Sequence, residues 1–178
     1  KIPVQLARGV AETYGVSFED AYIIANQKVF GEVYEKVLAI DPKLATNWFR
    51  HVIPTPYVKK YGDLMFVEDI PGDEILELIR LFKDKKVSDK VAKEILEKLV
   101  EERFSPKEYI KEHNLEMVSD AGELEGFCKE AITENPQAVE DFKGGEAKSL
   151  NYLVGQVMKK SKGKANPGEV AKMIKEMI

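Results

Sequence analysis

The densest chemistry in this 178-residue sequence is a lysine run near its end, Lys159-Lys160-Ser161-Lys162-Gly163-Lys164, with four lysines in six positions. At a helix end and in the turn after it, such a run can meet the phosphates of a polyanion. Asn166 is placed to cap the following helix, whose free N–H groups are expected to take one phosphate. Gly155 and Gly163 carry no side chain and would let a backbone come close. Tyr152 could stack on a base. The same residues also fit a purely structural reading. Lysines favour helix C-termini because they meet the negative end of the macrodipole, and a tyrosine at helical spacing serves as core or rim. Both readings stay open on the residues alone.

Other residue types point away from catalysis. Lys162-Gly163-Lys164 and Lys143-Gly144-Gly145 do not have the G-x-x-x-x-G-K-[ST] spacing of a phosphate-binding loop, and no strand precedes them. Cys128 is the one cysteine, which excludes an internal disulfide and a multi-cysteine zinc site. Beside Phe127 in a helical pattern it reads as a small buried hydrophobe. An enzyme using Cys128 as nucleophile is the weakest alternative, since neither His51 nor His113 pairs with it by spacing. The two histidines form no metal-binding pattern, and the many carboxylates lie on polar faces without an acid/base couple. Trp48 reads as a core anchor. No catalytic residue and no metal ligand is assigned.

The elements that must hold the lysine run are helices, because apolar residues recur at spacings of three and four almost throughout. A first helix runs from Val4 to Tyr14 and stops at Gly15. Ser17 caps a second, with Phe18, Ala21, Tyr22, Ala25, Val29, Val33, Val37 and Leu38 as its stripe. Asp41-Pro42 opens a short helix through Trp48 and Phe49 that Pro54 and Pro56 are expected to end. Residues 55–70 read as a loop or irregular piece, with Leu64–Val67 a candidate for brief extended chain. Pro71 or Asp73 starts the next helix, Ser88 another, and Ser105-Pro106-Lys107-Glu108 is a capping box. Ser119 or Asp120 starts the following helix, and Asn135-Pro136 repeats the cap-plus-proline device. After Gly144-Gly145 comes a strongly apolar helix with Leu150, Leu153, Val154, Val157 and Met158, which Gly163 ends. Asn166-Pro167-Gly168-Glu169 opens the last. The expected fold is all-α, with a helical domain over residues 1–113 and a small helical tail domain over 114–178.

Composition agrees with a folded chain, at 44% hydrophobic and 33% charged residues. The net charge of −4 hides a gradient. From Lys143 onward eight basic and three acidic residues give +5, so residues 1–142 carry −9. The total speaks against an indiscriminate nucleic-acid binder but not against a local basic surface. No apolar run approaches the roughly 18 residues of a membrane span, and Lys1-Ile2-Pro3 shows neither a Met nor a signal pattern. A cytoplasmic segment cut from a longer protein is expected.

The C-terminal third also carries a motif string: Asn135-Pro136, Val139-Glu140-Asp141-Phe142, Gly144-Gly145-Glu146-Ala147, Leu153-Val154-Gly155-Gln156-Val157-Met158-Lys159 and Lys162-Gly163-Lys164-Ala165-Asn166-Pro167. This string resembles the GatB/YqeY tail family, the C-terminal part of the B subunit of aspartyl/glutamyl-tRNA amidotransferases. Upstream, Tyr14-Gly15-Val16-Ser17, Asp41-Pro42-Lys43-Leu44-Ala45, Asn47-Trp48 and Val87-Ser88 are similar to segments of that B subunit, in the same order. Residues 54–70 depart from the pattern of bacterial members.

The resemblance implies a tRNA-binding region that is not an enzyme on its own. The full-length protein would activate and amidate Glu-tRNA(Gln) or Asp-tRNA(Asn) through an N-terminal cradle domain using ATP and magnesium, a domain whose residues this chain does not contain. Partners implied are tRNA(Gln) or tRNA(Asn) and the amidase (A) and small (C) subunits, with no membrane. Contact with tRNA is carried onto Gly155, Lys159, Lys160, Lys162, Gly163, Lys164 and Asn166, which match the family string; Lys143 and Lys148 join them on charge alone. A stand-alone YqeY-type interaction protein, or the related tail of the archaeal amidotransferase E subunit, are the alternatives.

Overall fold

Local sequence signals explain most of the helix boundaries. The computed structural model describes residues 3–118 and 121–178, so the expected caps at Ser119 and Asp120 and the start at Lys1-Ile2 lie outside the described residues. Among the described residues there is no strand, and the chain is all-α, as its periodicity implies. By packing it divides into two compact units. One comprises Lys1–Leu81 with Lys93–Tyr109, the other Phe82–Ala92 with Ile110–Ile178. The second unit therefore holds residues 114–178 and, in addition, a segment from earlier in the chain.

In the first unit, α1 (Pro3–Tyr14) ends at Gly15, whose φ of +66° suits glycine and whose N–H donates to the Ala11 carbonyl at 2.9 Å. Ser17 caps α2 (Phe18–Ala25), its hydroxyl oxygen accepting from the Asp20 N–H at 3.0 Å. The continuous second helix expected through Leu38 is instead broken at Asn26-Gln27. The Asn26 side chain turns back to donate to the Tyr22 carbonyl at 2.8 Å, and Gln27 is extended. A 3-10 turn (Lys28–Phe30) and α3 (Gly31–Leu38) come next, and the break drives Phe30 inward against Phe49, with ring centroids 5.4 Å apart.

Asp41 caps α4 (Pro42–Asn47) by accepting from the Leu44 N–H at 3.0 Å. Pro54 and Pro56 do not end a helix. They sit in the first turn of α5 (Pro54–Tyr61), where a missing N–H costs nothing. A π-helical turn over Trp48–Val52 leads into them, with the Ile53 N–H bonded to the Trp48 carbonyl at 2.8 Å. Residues 55–61 are thus helical, while 62–63 and 67–70 are irregular, as the sequence reading expects of this stretch. Leu64–Phe66 is a 3-10 turn capped by Asp63, not an extended piece. α6 (Gly72–Lys83) then buries Ile75, Leu78 and Ile79.

α7 (Asp89–Leu99) starts at Ser88, whose hydroxyl accepts from the Val91 N–H. α8 (Pro106–Glu112) starts at Ser105, which accepts from the Glu108 N–H and donates to Glu77 at 3.0 Å. In the second unit, α9 (Ala121–Glu134), α10 (Pro136–Lys143), α11 (Ala147–Lys160) and α12 (Pro167–Met177) surround a core of Leu124, Cys128, Ala131, Leu150, Leu153, Val157, Ala165, Val170 and Ile174. Phe127 and Phe142 pack against its edge.

Candidate functional site

Helix α11, which holds most of the candidate residues before the turn, has two very different faces. Leu150, Leu153 and Val157 point into the core of the second unit. The opposite face is exposed and bears Lys148, Tyr152, Gly155 and Lys159, spaced i, i+4, i+7 and i+11, which places them in one stripe. Lys162 lies in the turn beyond, and Lys143 stands exposed at the end of α10. Among the described residues Lys143, Lys148, Lys159 and Lys162 have no side-chain ion pair or hydrogen bond.

The other half of the lysine run is committed to the fold. Lys160 lies 3.2 Å from Glu130 and 2.9 Å from Glu134, both on α9, and its side chain is only 23% exposed. Those two carboxylates, Glu134 foremost, hold the Lys160 ammonium above the usual lysine range. Lys164 donates from Nζ to the Asn114 carbonyl at 2.7 Å, while its own carbonyl accepts from the Val118 N–H at 3.0 Å.

The turn that separates these lysines is built from two consecutive left-handed residues, Lys162 at φ +54° and Gly163 at φ +77°. The Ser161 N–H closes onto the Val157 carbonyl at 2.9 Å and the Gly163 N–H onto that of Met158 at 2.7 Å, satisfying the end of α11. Gly163 is buried, a side chain there would come within 2.6 Å of Lys90 Cδ, and its carbonyl accepts from the Ser88 hydroxyl. The glycine therefore serves an internal approach rather than an external one.

Asn166 is likewise occupied. Its Oδ1 accepts from the N–H groups of Gly168 at 2.9 Å and Glu169 at 3.3 Å. Two of the donors expected to take a phosphate are consumed by the cap itself. Of the nine residues singled out from sequence, the structure brings Lys148, Gly155 and Lys159 onto one face, with Lys143 and Lys162 exposed at helix ends. Lys160, Gly163, Lys164 and Asn166 are engaged in bonds within the fold.

One interaction was hidden by a local signal. Asn135, in front of Pro136, reads as a helix cap, yet its side chain makes no capping bond. It donates to the Ala131 carbonyl at 2.8 Å and accepts from the Tyr152 hydroxyl at 3.3 Å.

Cys128 is buried, and burial raises its thiol, with Glu125 adding to the shift. That is the opposite of what activates a nucleophile. Among the described residues no group of three or more His, Cys, Asp and Glu is arranged to hold a metal ion. No helix among them is long and apolar enough to cross a membrane.

Comparison with known proteins agrees with the motif string. Residues 28–178 match the family described as the GatB domain. The chain is 37% identical, over 99% of its length, to the B subunit of an aspartyl/glutamyl-tRNA(Asn/Gln) amidotransferase from Methanococcus maripaludis, covering 39% of that protein. It is 35% identical over 98% of its length to the protein of the same name from Macrococcus caseolyticus, and 36% identical over 94% to that of Methanothermobacter thermautotrophicus. In each of these two it covers 37% of the relative. The chain thus spans less than two fifths of the length of these relatives. It belongs to the GatB domain family.

Proposed function

We propose that this member of the GatB domain family is the tRNA-holding region of an aminoacyl-tRNA amidotransferase, within its B subunit. The observation that carries the reading is a group of exposed lysines on and beside α11, Lys143, Lys148, Lys159 and Lys162, with no side-chain partner among the described residues, in a chain whose first 142 residues are acidic. A folded RNA is recognised through phosphates, shape and exposed bases, and a local basic surface can supply this without a catalytic pocket. The acidic remainder confines the RNA to that surface and disfavours indiscriminate binding.

On this reading the amidase and small subunits are partners of the whole protein. Activation of the aminoacyl carboxylate with ATP and magnesium is work for the cradle domain implied by the resemblance. The described residues offer no metal-binding cluster, and no step through magnesium or ATP is assigned to them.

The test is a salt titration of tRNA binding by the full chain, using tRNA(Gln), tRNA(Asn) and an unrelated tRNA. Replacing Lys143, Lys148, Lys159 and Lys162 together by Ala is expected to weaken binding and flatten the log–log salt slope, by roughly 0.7–0.9 for each phosphate no longer neutralised. Among the described residues these four lysines make no side-chain ion pair or hydrogen bond, so circular dichroism should show an unchanged fold. An unchanged affinity in that folded variant would sink the proposal.

A further inference from the structure

The second unit leaves one ring outside. Phe127 and Phe142 pack against its core, whereas Tyr152 is 52% exposed and meets no other ring among the described residues. Its hydroxyl is nevertheless held, by the bond to Asn135 Oδ1, and Asn135 is in turn held by its bond to the Ala131 carbonyl. The residue in the capping position of α10 thus leaves the helix start without a side-chain cap and pins the tyrosine instead. One turn further along the same stripe is Gly155. A side chain at Gly155 would meet nothing within 4 Å, so no internal packing calls for glycine there, and a glycine inside a helix is unfavourable. Lys148 lies one turn before Tyr152 and Lys159 one turn beyond Gly155, both exposed and unpaired among the described residues.

A pinned, exposed ring beside open space, bracketed by two free cations, matches what an unstacked nucleotide needs. It offers a face for the base, room for the sugar–phosphate backbone, and positive charge for the flanking phosphates. We propose that Tyr152 is a base-stacking platform for an unpaired nucleotide of the bound RNA, with the backbone crossing α11 over Gly155 between Lys148 and Lys159. This rests on the tRNA-holding reading and adds to it a specific interaction with single-stranded or loop nucleotides. The hydroxyl's bond to Asn135 orients the ring in advance, so little freedom is lost on binding.

The experiment measures binding of the full chain to tRNA and to a blunt RNA duplex of equal length, with Tyr152 replaced by Ala, Leu and Phe. Tyr152→Ala should weaken tRNA binding by roughly five- to a hundredfold while leaving the salt slope unchanged, because no cation is removed. Tyr152→Leu should behave like Tyr152→Ala, and Tyr152→Phe should retain most of the affinity because it retains the ring. Duplex binding should be the same for all four proteins. The side chain is half exposed, so the variants are expected to fold, which circular dichroism checks. Normal tRNA affinity in Tyr152→Ala, or in Tyr152→Leu, overturns the stacking role and leaves the lysine surface standing. An equal loss on the duplex also overturns it, since a paired RNA offers no free base. Failure of the unmodified chain to bind tRNA at low salt overturns both readings. An intact tRNA interaction together with a Tyr152→Ala defect confined to a protein partner would assign the ring to that partner instead.

Discussion

The two units of this chain solve the problem of filling a helical core in different ways. The first buries rings: Phe30, Tyr34, Trp48, Phe49 and Tyr57 are all nearly inaccessible, with Phe49 touching both Phe30 and Tyr34. The buried core cluster of the second contains aliphatic and small residues only, from Leu124 and Cys128 to Ala165 and Ile174. The buried rings of the first unit all come from residues 28–61, a run of short elements that includes 3-10 and π-helical turns, whereas the core of the second is closed by the regular helices α9, α11 and α12 around residues such as Ala131 and Ala165. In the first unit some exposed rings extend ring packing, as Phe18 stacks on Tyr22 and Tyr61 on Tyr57, while the exposed Phe66 and Tyr14 meet no other ring among the described residues. In the second, Tyr152 also belongs to no such cluster among the described residues, and what sets it apart is the bond that holds its hydroxyl to Asn135 and the exposed lysines on its stripe.

The contrast can be pressed hardest through the cores. Phe49→Ala should cost about 3–5 kcal/mol, and Leu153→Ala about 2–5 kcal/mol, each by the transfer and cavity terms of a fully buried side chain. Urea unfolding tracked by the fluorescence of Trp48, which lies in the first unit, and by circular dichroism would measure both. A Phe49→Ala loss below about 2 kcal/mol would undo the view that rings carry the first core.

The next effects separate two glycines of the same motif string. Gly163→Ala should destabilise by roughly 1–2 kcal/mol, because alanine at φ +77° is strained and its methyl must displace the Lys90 side chain. Gly155→Ala should go the other way and stabilise by roughly 0.5–1 kcal/mol, since Gly155 sits in mid-helix with free space above it. Equal signs in thermal melts would contradict the opposite roles of the two glycines.

The smallest effect tests adjacent lysines. Lys160→Ala should lower the melting temperature slightly, through removal of its pairing with Glu130 and Glu134, while Lys159→Ala should leave it unchanged. The raised pKa of Lys160 in the folded state fixes the sign of the pH dependence. Its stabilising contribution is complete below the pKa of an unfolded-chain lysine and disappears as pH rises through the folded value. The gap between the unmodified chain and Lys160→Ala should therefore be constant through neutral pH and shrink only in the strongly alkaline range.

Much of the fold was legible in local sequence. Gly15, Ser17, Asp41, Ser88, Ser105 and Asn166 all do what their types and positions imply, because capping is settled within three or four residues. The misreadings are also local in origin. Pro54 and Pro56 look like terminators, yet proline fits a first turn as well as it ends a helix, and only the packing of Trp48 and Phe49 decides between these uses. Asn26 and Gln27 carry apolar periodicity on both sides, so the break between α2 and α3 is invisible until Phe30 is seen to need a place inside.

The candidate site divides along the same line. Composition, charge and periodicity are properties of the chain alone. They suffice to make it helical, to concentrate basic residues from Lys143 onward, and to give α11 one apolar and one polar face. Which lysines are free is a property of the folded molecule. Lys159 and Lys160 are neighbours of one type, yet one faces solvent and the other is held by two carboxylates from a helix some thirty positions earlier. Gly163 and Lys164 are likewise tied to Ser88 and Asn114, 75 and 50 positions away in the chain. A side chain's availability to a partner is what remains after its own fold has used it, and long-range contacts set that remainder.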